Sequence, residues 1–267
     1  VVVMKTAEVI RPETVNERKT LLKISNVSKV YNGEIVALTD MNLDVKEGEF
    51  ISFVGPSGCG KSTIFKIIAG LSEPTTGTVE LTTQTSKKES LDRTEIGFVF
   101  QHATLLPWKS VLDNVTLPLE LKGVSKKERQ KQGLDVLELV GLKGYEKSLP
   151  RQLSGGMQMR VSIARALVAK PKLLLMDEPF GALDEITRQN LHYELLKIWK
   201  KTNMTVLFIT HNVFESVFLS TKIAVMSARP GRISHEFEVP EYERNEDFRS
   251  TAEFSQLVGQ VSKNLGH

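Results

Sequence analysis

Apolar positions follow three different spacings along the chain, and each spacing predicts a different element. From residue 21 to 53, Leu22, Ile24 and Val27, then Ile35, Val36 and Leu38, then Leu43 and Val45 come in groups separated by Asn32-Gly33 and Glu47-Gly48. Short apolar groups between turn signals of this kind predict short antiparallel strands. The run Phe50-Ile51-Ser52-Phe53-Val54 then enters the glycine-rich stretch 55–60, and Ile64, Phe65, Ile67, Ile68 and Leu71 follow at helical spacing, which predicts strand, loop, helix. Strands are also expected at 78–81 and 96–100, after which the pattern is helical to about residue 170. Within that stretch Leu134, Leu137 and Val140 end at Gly141, and Ile163, Ala164, Leu167 and Val168 form a stripe stopped before Pro171. The runs 173–176, 206–209 and 223–226 are too short for helices and apolar on both faces, as in a buried parallel sheet. Leu191, Leu195, Ile198 and Trp199 predict a crossover helix between two of them. Phe254, Leu257, Val258, Val261 and Leu265 predict a terminal amphipathic helix.

Composition narrows the class. At 267 residues the chain is long enough for one large domain or two intimate subdomains. With 40% hydrophobic and 25% charged residues it is neither collagen-like nor mostly disordered. Its single cysteine, Cys59, allows no internal disulfide and no four-cysteine zinc site, which suits a reducing compartment. No apolar stretch approaches the ~20 residues that cross a bilayer, and the first residues lack the order of a secretory signal. The 35 Lys and Arg against 32 Asp and Glu leave only +3. The basic cluster Lys126, Lys127, Arg129 and Lys131 surrounds Glu128, which reads as a solvated helix face rather than a phosphate or membrane patch. Nucleic acid is not an expected partner.

The chemistry concentrates in three places. Gly55-Pro56-Ser57-Gly58-Cys59-Gly60-Lys61-Ser62 fits the phosphate-loop pattern between a strand and a helix. Its glycines let successive N–H groups turn around phosphate oxygens, the helix N-terminus adds its positive end, Lys61 neutralises the β/γ-phosphates and the Ser62 hydroxyl can ligate Mg²⁺. Leu173-Leu174-Leu175-Met176 leads into Asp177 and Glu178. Asp177 suits a metal and Glu178 a general base for water, a role worth ~10² to 10⁴ in rate. Leu153-Ser154-Gly155-Gly156-Met157-Gln158 is a second glycine pair opening a helix. Since one loop already claims the phosphates, a second copy of the chain could present this turn to the γ-phosphate of the first.

In this order the motifs closely resemble the ATP-binding subunits of ABC transporters, over roughly residues 21–238. The resemblance implies an α/β fold: a phosphate-loop NTPase core of mixed and parallel sheet with flanking helices, an N-terminal antiparallel β-subdomain, and a helical signature subdomain inserted at about 102–170. A tail at 1–20 and a helical extension at 239–267 flank it. By the same resemblance Tyr31 stacks on adenine and 55–62, with Thr63, bind ATP. Gln101 touches Mg²⁺ and the lytic water, Ser62 and Asp177 share the metal, Glu178 is the base and His211 contacts the γ-phosphate. Ser154, Gly155, Gly156 and Gln158 reach the ATP of a partner subunit, and Asp184 belongs to the D-loop. ATP and Mg²⁺ are the implied cofactors. The implied partners are a second copy or related ATPase subunit, transmembrane permease subunits and, indirectly, a solute-binding protein, with the chain peripheral on the cytoplasmic face of the membrane.

Phe100-Gln101, Leu105-Leu106-Pro107-Trp108, Asp177-Glu178-Pro179-Phe180-Gly181 and Met226-Ser227-Ala228-Arg229-Pro230-Gly231-Arg232 look similar to importers of nitrate, sulfonates, taurine, bicarbonate or related small solutes. The departures are Met157 and Met159, where the broad family favours Gln, and Asn212, where Asp is common. ABC ATPases acting on DNA or the ribosome resemble tandem cassettes or have long coiled-coil inserts, and this chain has one phosphate loop and no heptad run. A phosphate-loop kinase would leave the signature turn idle. Cys59 is either a reactive thiol shielded by nucleotide or a small filler residue. The segment 102–121, with Trp108 beside three apolar residues, is expected to dock a membrane partner, and Pro107 and Pro118 disfavour a continuous helix there.

Overall fold

The computed structural model describes residues 18–82, 95–240, 243–245 and 247–265. In chain order its elements are β1 (Thr20–Tyr31), β2 (Ile35–Lys46), β3 (Phe50–Val54), α1 (Lys61–Ile68), β4 (Thr76–Leu81), β5 (Ile96–Val99), α2 (Val111–Leu121), α3 (Lys126–Leu139) and α4 (Gly155–Leu167). Then follow β6 (Leu173–Asp177), α5 (Glu185–Thr202), β7 (Thr205–Ile209), α6 (Val213–Leu219), β8 (Lys222–Met226), β9 (Ile233–Glu238) and α7 (Ala252–Leu265). The chain divides into two compact units, 1–93 with 205–267, and 94–204. The tail read over 1–20 lies outside the described residues up to residue 17.

In the first unit β1 pairs antiparallel with β2 on one side and β4 on the other. Leu22, Ile24 and Val27 of β1 and Leu38, Met41, Leu43 and Val45 of β2 are buried. The short strands expected here are two strands of twelve residues each. Register shifts, such as the one between Ile24 and Val27, break the alternation and make a long strand read as several. The Asn32-Gly33 turn forms as expected, both residues left-handed.

The same unit holds β3 between the parallel strands β7 and β8, with β9 antiparallel on the far side of β8. All five residues of β3, β7 and β8 are buried, which is why each reads as a nearly continuous apolar run. Sequence reasoning missed β9: it is paired on one side only and mostly solvent-facing, so Ile233–Glu238 shows no apolar run. Helix α1 buries Ile64, Phe65, Ile67 and Ile68, with the edge of the Phe65 ring on Phe53 at 5.6 Å.

The expected terminal helix is α7, which packs on α6 and buries Phe254, Val258 and Val261, the Phe254 ring lying 6.1 Å from that of Phe214. Phe248 joins Phe254 edge-on at 5.2 Å and Phe218 at 6.3 Å. Arg244 donates to the carbonyls of Leu219 and Ser220 at 2.8 and 2.5 Å, satisfying the end of α6.

In the second unit β5 and β6 are parallel, α2, α3 and α4 pack on one another, and α4 also lies on β5. The stretch 102–121 is not one continuous helix, as expected, but α2, which begins at Val111, runs through Pro118. Ser110 caps its start by accepting from Asp113 N at 3.1 Å, Val115 and Leu119 are buried, and Lys122 N closes the last turn on the Pro118 carbonyl at 3.2 Å. Proline therefore removes one bond inside a helix fastened at both ends. The buried Asn114 side chain accepts from Leu106 N and donates to the carbonyls of Leu106, Lys109 and Ser110, holding the 106–110 segment in place. Among the described residues no helix is long and apolar enough to cross a membrane.

Candidate nucleotide site

In the first unit the chain leaves β3 at Val54, turns through 55–60 and enters α1 at Lys61. Gly60 sits at the helix cap with φ 101°, and a Cβ there would meet Leu38 Cδ2 at 2.5 Å and Ala37 O at 3.0 Å, so only glycine fits. No side chain caps α1; Gly60 O takes the N–H groups of Thr63 and Ile64, each at 3.0 Å, and the N-terminal end of the helix is open to an anion. Lys61 arches back over the loop, donating to Gly55 O at 2.8 Å and Pro56 O at 3.0 Å. Pro56, Ser57, Gly58 and Ser62 are exposed, Thr63 is half-buried, and the Ser62 hydroxyl is an oxygen donor of the kind Mg²⁺ takes.

Cys59 is only 1% exposed, with its sulfur 3.8 Å from Lys61 Nζ. Of the two readings of this residue, filler is the one its burial fits, because the loop already excludes solvent from the thiol without any nucleotide.

Thr210 N donates to Phe53 O at 3.2 Å, and β3 and β7 are parallel neighbours. The phosphate loop and His211 therefore leave the same carboxyl edge of the sheet, where ligands bind in open α/β sheets. Behind His211, Asn212 caps α6 by accepting from Glu215 N at 3.2 Å, and the Glu215 carboxylate takes the Thr210 hydroxyl. Asn212, flagged as a departure, does the work of an aspartate cap. Tyr31 ends β1 as a residue 37% exposed, with Lys29 Nζ 5.1 Å from its ring centre, and an exposed aromatic at this place can stack on a base.

The second unit repeats the edge arrangement. Val99 and Met176 are partners in the parallel pair β5 and β6, so Gln101, Asp177 and Glu178 emerge at one carboxyl end. Glu178 has φ 46°, uncommon for a residue with a side chain and frequent at functional positions. Its carbonyl accepts from Gly181 N at 3.2 Å, and the buried Phe180 anchors the turn. Asp184 caps α5 through Thr187 N at 3.0 Å, and that hydrogen bond, with one from the Thr187 side chain, holds its carboxyl below the usual aspartate range.

The signature turn also opens a helix. Ser154 caps α4, accepting from Met157 N at 3.3 Å. Gly156 faces α5, where a Cβ would meet Thr187 Cγ2 at 2.6 Å. Gln158 turns its amide inward, donating to Pro150 O and Leu153 O. A cavity of about 330 Å³ beside the turn is lined by Ser154, Gly156, Tyr145, Arg160, Thr187 and Asn190, among others.

Sequence reasoning missed Arg165. It donates to Ala103 O and Thr104 O, both at 2.9 Å, and so ties the signature helix to the segment that follows Gln101. Burial lowers its pKa, but a guanidinium stays charged. An arginine within the apolar stripe 163–168 was the available signal. Arg160 likewise pairs with Glu194 at 2.8 Å; burial raises the Glu194 carboxyl and Arg160 opposes that shift.

These parts have known counterparts. Residues 38–181, more than half of the chain, match the family described as ABC transporter. The nitrate import ATP-binding protein of a Synechocystis strain is 45% identical over 82% of each chain. The taurine import ATP-binding protein of Rhizobium johnstonii is 45% identical over 82% of this chain and 84% of its own. A solved structure described as the dimeric post-hydrolysis state of an ATP-binding cassette bound to ADP and Pi superposes with TM-score 0.71 at 38% identity, covering 83% of this chain and all of that one. With the family model spanning residues 38–181 and relatives at 45% identity over four-fifths of the chain, the chain belongs to the ABC transporter family, as one of its ATP-binding subunits.

Proposed function

We propose that this ATPase powers the import of a small oxyanion or sulfonate, the class to which nitrate and taurine belong. The support is that the two relatives named for such import share 45% of their aligned residues with it across four-fifths of the chain. Two copies, or one copy and a related subunit, enclose two ATP molecules, each between the phosphate loop of one and the signature turn of the other.

In each site 55–63 and Lys61 hold the phosphates and Tyr31 covers the base. Ser62, Asp177 and Gln101 supply the oxygen donors for Mg²⁺, which neutralises phosphate charge when bound. Glu178 takes a proton from the attacking water, and His211 holds the γ-phosphate. Ser154, Gly155 and Gly156 close the site from the other copy, and Gln158, expected to reach the same ATP, instead holds the turn from within through Pro150 O and Leu153 O.

Permease subunits anchor the dimer at the cytoplasmic face of the membrane, with a solute-binding protein beyond them. Trp108, 73% exposed on a segment pinned by Asn114, is the docking residue. Truncating it to Ala is expected to weaken assembly with the permease by ~2 kcal/mol and leave ATP binding by the free subunit unchanged. Unaltered assembly in pull-down titrations would reject the docking assignment. The solute is tested by reconstituting the subunit with its permease in vesicles. ATP-dependent uptake of nitrate or taurine is the expected result, and uptake of neither, by a complex that hydrolyses ATP, overturns this choice of solute class.

A further inference from the structure

The motif 226–232, read above only as a mark of resemblance, forms the loop between β8 and β9 and touches the phosphate loop directly. Arg229 Nε donates to Gly58 O at 2.8 Å, and its guanidinium lies over Gly58, Nη2 being 3.6 Å from the place a Cβ would occupy. The other edge of the same peptide is also held: Cys59 N donates to Pro56 O at 3.3 Å. The peptide joining Gly58 to Cys59 cannot turn over without breaking both bonds.

The next peptide is fixed by contact. Gly231 lies so close to the Cys59 carbonyl that a Cβ on Gly231 would overlap it. A trans peptide points its carbonyl and its N–H in opposite directions. With Cys59 O against Gly231, the N–H of Gly60 is aimed away from the 227–232 loop. Gly231 is itself anchored on β2, donating to Ala37 O at 3.0 Å and accepting from Thr39 N at 2.9 Å. Ser227 closes the loop, its N–H donating to Arg232 O at 2.9 Å and its hydroxyl donating to Pro230 O at 3.1 Å.

We propose that the 227–232 loop is a brace that orients two successive peptides of the phosphate loop, and that Arg229 is a positioning residue for the phosphates of bound nucleotide. A phosphate cradle works only if its N–H groups converge before the ligand arrives, since each peptide that must be reoriented on binding subtracts from affinity. The carbonyls on the outer side must be held for the inner N–H groups to point inward. Arg229 and Gly231 supply that hold from a segment 171 positions further along the chain. The inference rests on the reading that 55–63 bind ATP.

The test uses the full chain and its ATPase kinetics. Arg229→Met removes the donor while keeping an unbranched side chain on an exposed loop, so folding is not threatened. Loss of one hydrogen bond to the loop is expected to raise KM for ATP about fivefold while kcat at saturation stays within about twofold of the parent. The thermal midpoint without nucleotide is expected to be unchanged, and Arg229→Lys, which keeps a charged donor, to recover part of the KM.

Gly231→Ala, which forces the Cys59 carbonyl to move, is expected to raise KM further. A wild-type KM in Arg229→Met overturns the brace, and so does a parallel fall in kcat and nucleotide-free midpoint, which marks a merely structural contact. Titration with ATP of the parent and of Lys61→Ala separates the two levels. If Lys61→Ala binds ATP as the parent does, the nucleotide-site reading fails and takes the inference with it, whereas a normal parent with an unaffected Arg229→Met rejects the inference alone.

Discussion

The phosphate loop and the signature turn are both glycine-containing entries to a helix, and they solve opposite problems. At the phosphate loop the cap residue is Gly60, left-handed, and no side chain accepts from the first N–H groups of α1. At the signature turn Ser154 caps its own helix, and Gly156 serves close packing against Thr187. The first turn lacks a side-chain cap, a place an anion can take. The second satisfies its backbone and offers a small, firm surface. A helix start with glycines is therefore not one kind of site: the cap residue decides whether its donors are open. In the proposed dimer, this difference suits one turn to the chain's own nucleotide and the other to a neighbour's.

The largest effect tests the division of labour. Glu178→Gln keeps the shape of the base and removes its proton acceptor, so hydrolysis in the assembled transporter is expected to fall by ~10² or more with ATP still bound. Near-normal turnover would remove Glu178 from the chemistry. Lys61→Ala is expected to lower ATP affinity of the isolated chain by roughly tenfold or more, the scale of a charged hydrogen bond, measured by fluorescence titration. Ser154→Ala is expected to do something different, leaving that affinity intact while the loss of the α4 cap costs ~1 kcal/mol of stability. If Ser154→Ala weakened ATP binding by an isolated monomer, the contrast between the two turns would collapse.

The smallest effect is electrostatic. Because hydrogen bonds from Thr187 lower the Asp184 pKa, its charged form stabilises the fold above the ordinary aspartate range, and this contribution is lost as pH falls through that range. Asp184→Asn keeps the cap acceptor and removes the titration. Its thermal midpoint is expected to fall less steeply than that of the parent below about pH 4.

Buried parallel strands were legible because β3, β7 and β8 are apolar at nearly every position, and the phosphate loop because its glycines and Lys61 occupy fixed places between strand and helix. The resemblance then carried the reading to Gln101, Tyr31 and His211, which no periodicity marks. What escaped depends on contacts between distant positions. Arg165 and Arg229 act through backbone carbonyls, which leave no trace in the residues that own them, and β9 lacks an apolar run because only one of its edges is paired. Pro118 misled because helix α2 is secured by Ser110 and by its packing, neither visible at the proline itself.

The position of β3 between β7 and β8 bears on how the protein is made. Gly48, just before β3, bonds to a residue 157 positions later, and Phe50 to one 171 positions later. The strand that presents the phosphate loop thus leaves the ribosome long before either of its neighbours has been synthesised. During that interval Phe50, Ile51, Phe53 and Val54 have no sheet to enter, and long-range pairing of this kind is slow and open to misassociation. Assembly of the sheet around β3 is consequently a late event in biogenesis. A chain stalled before β7 holds the complete phosphate-binding sequence without either strand that flanks β3.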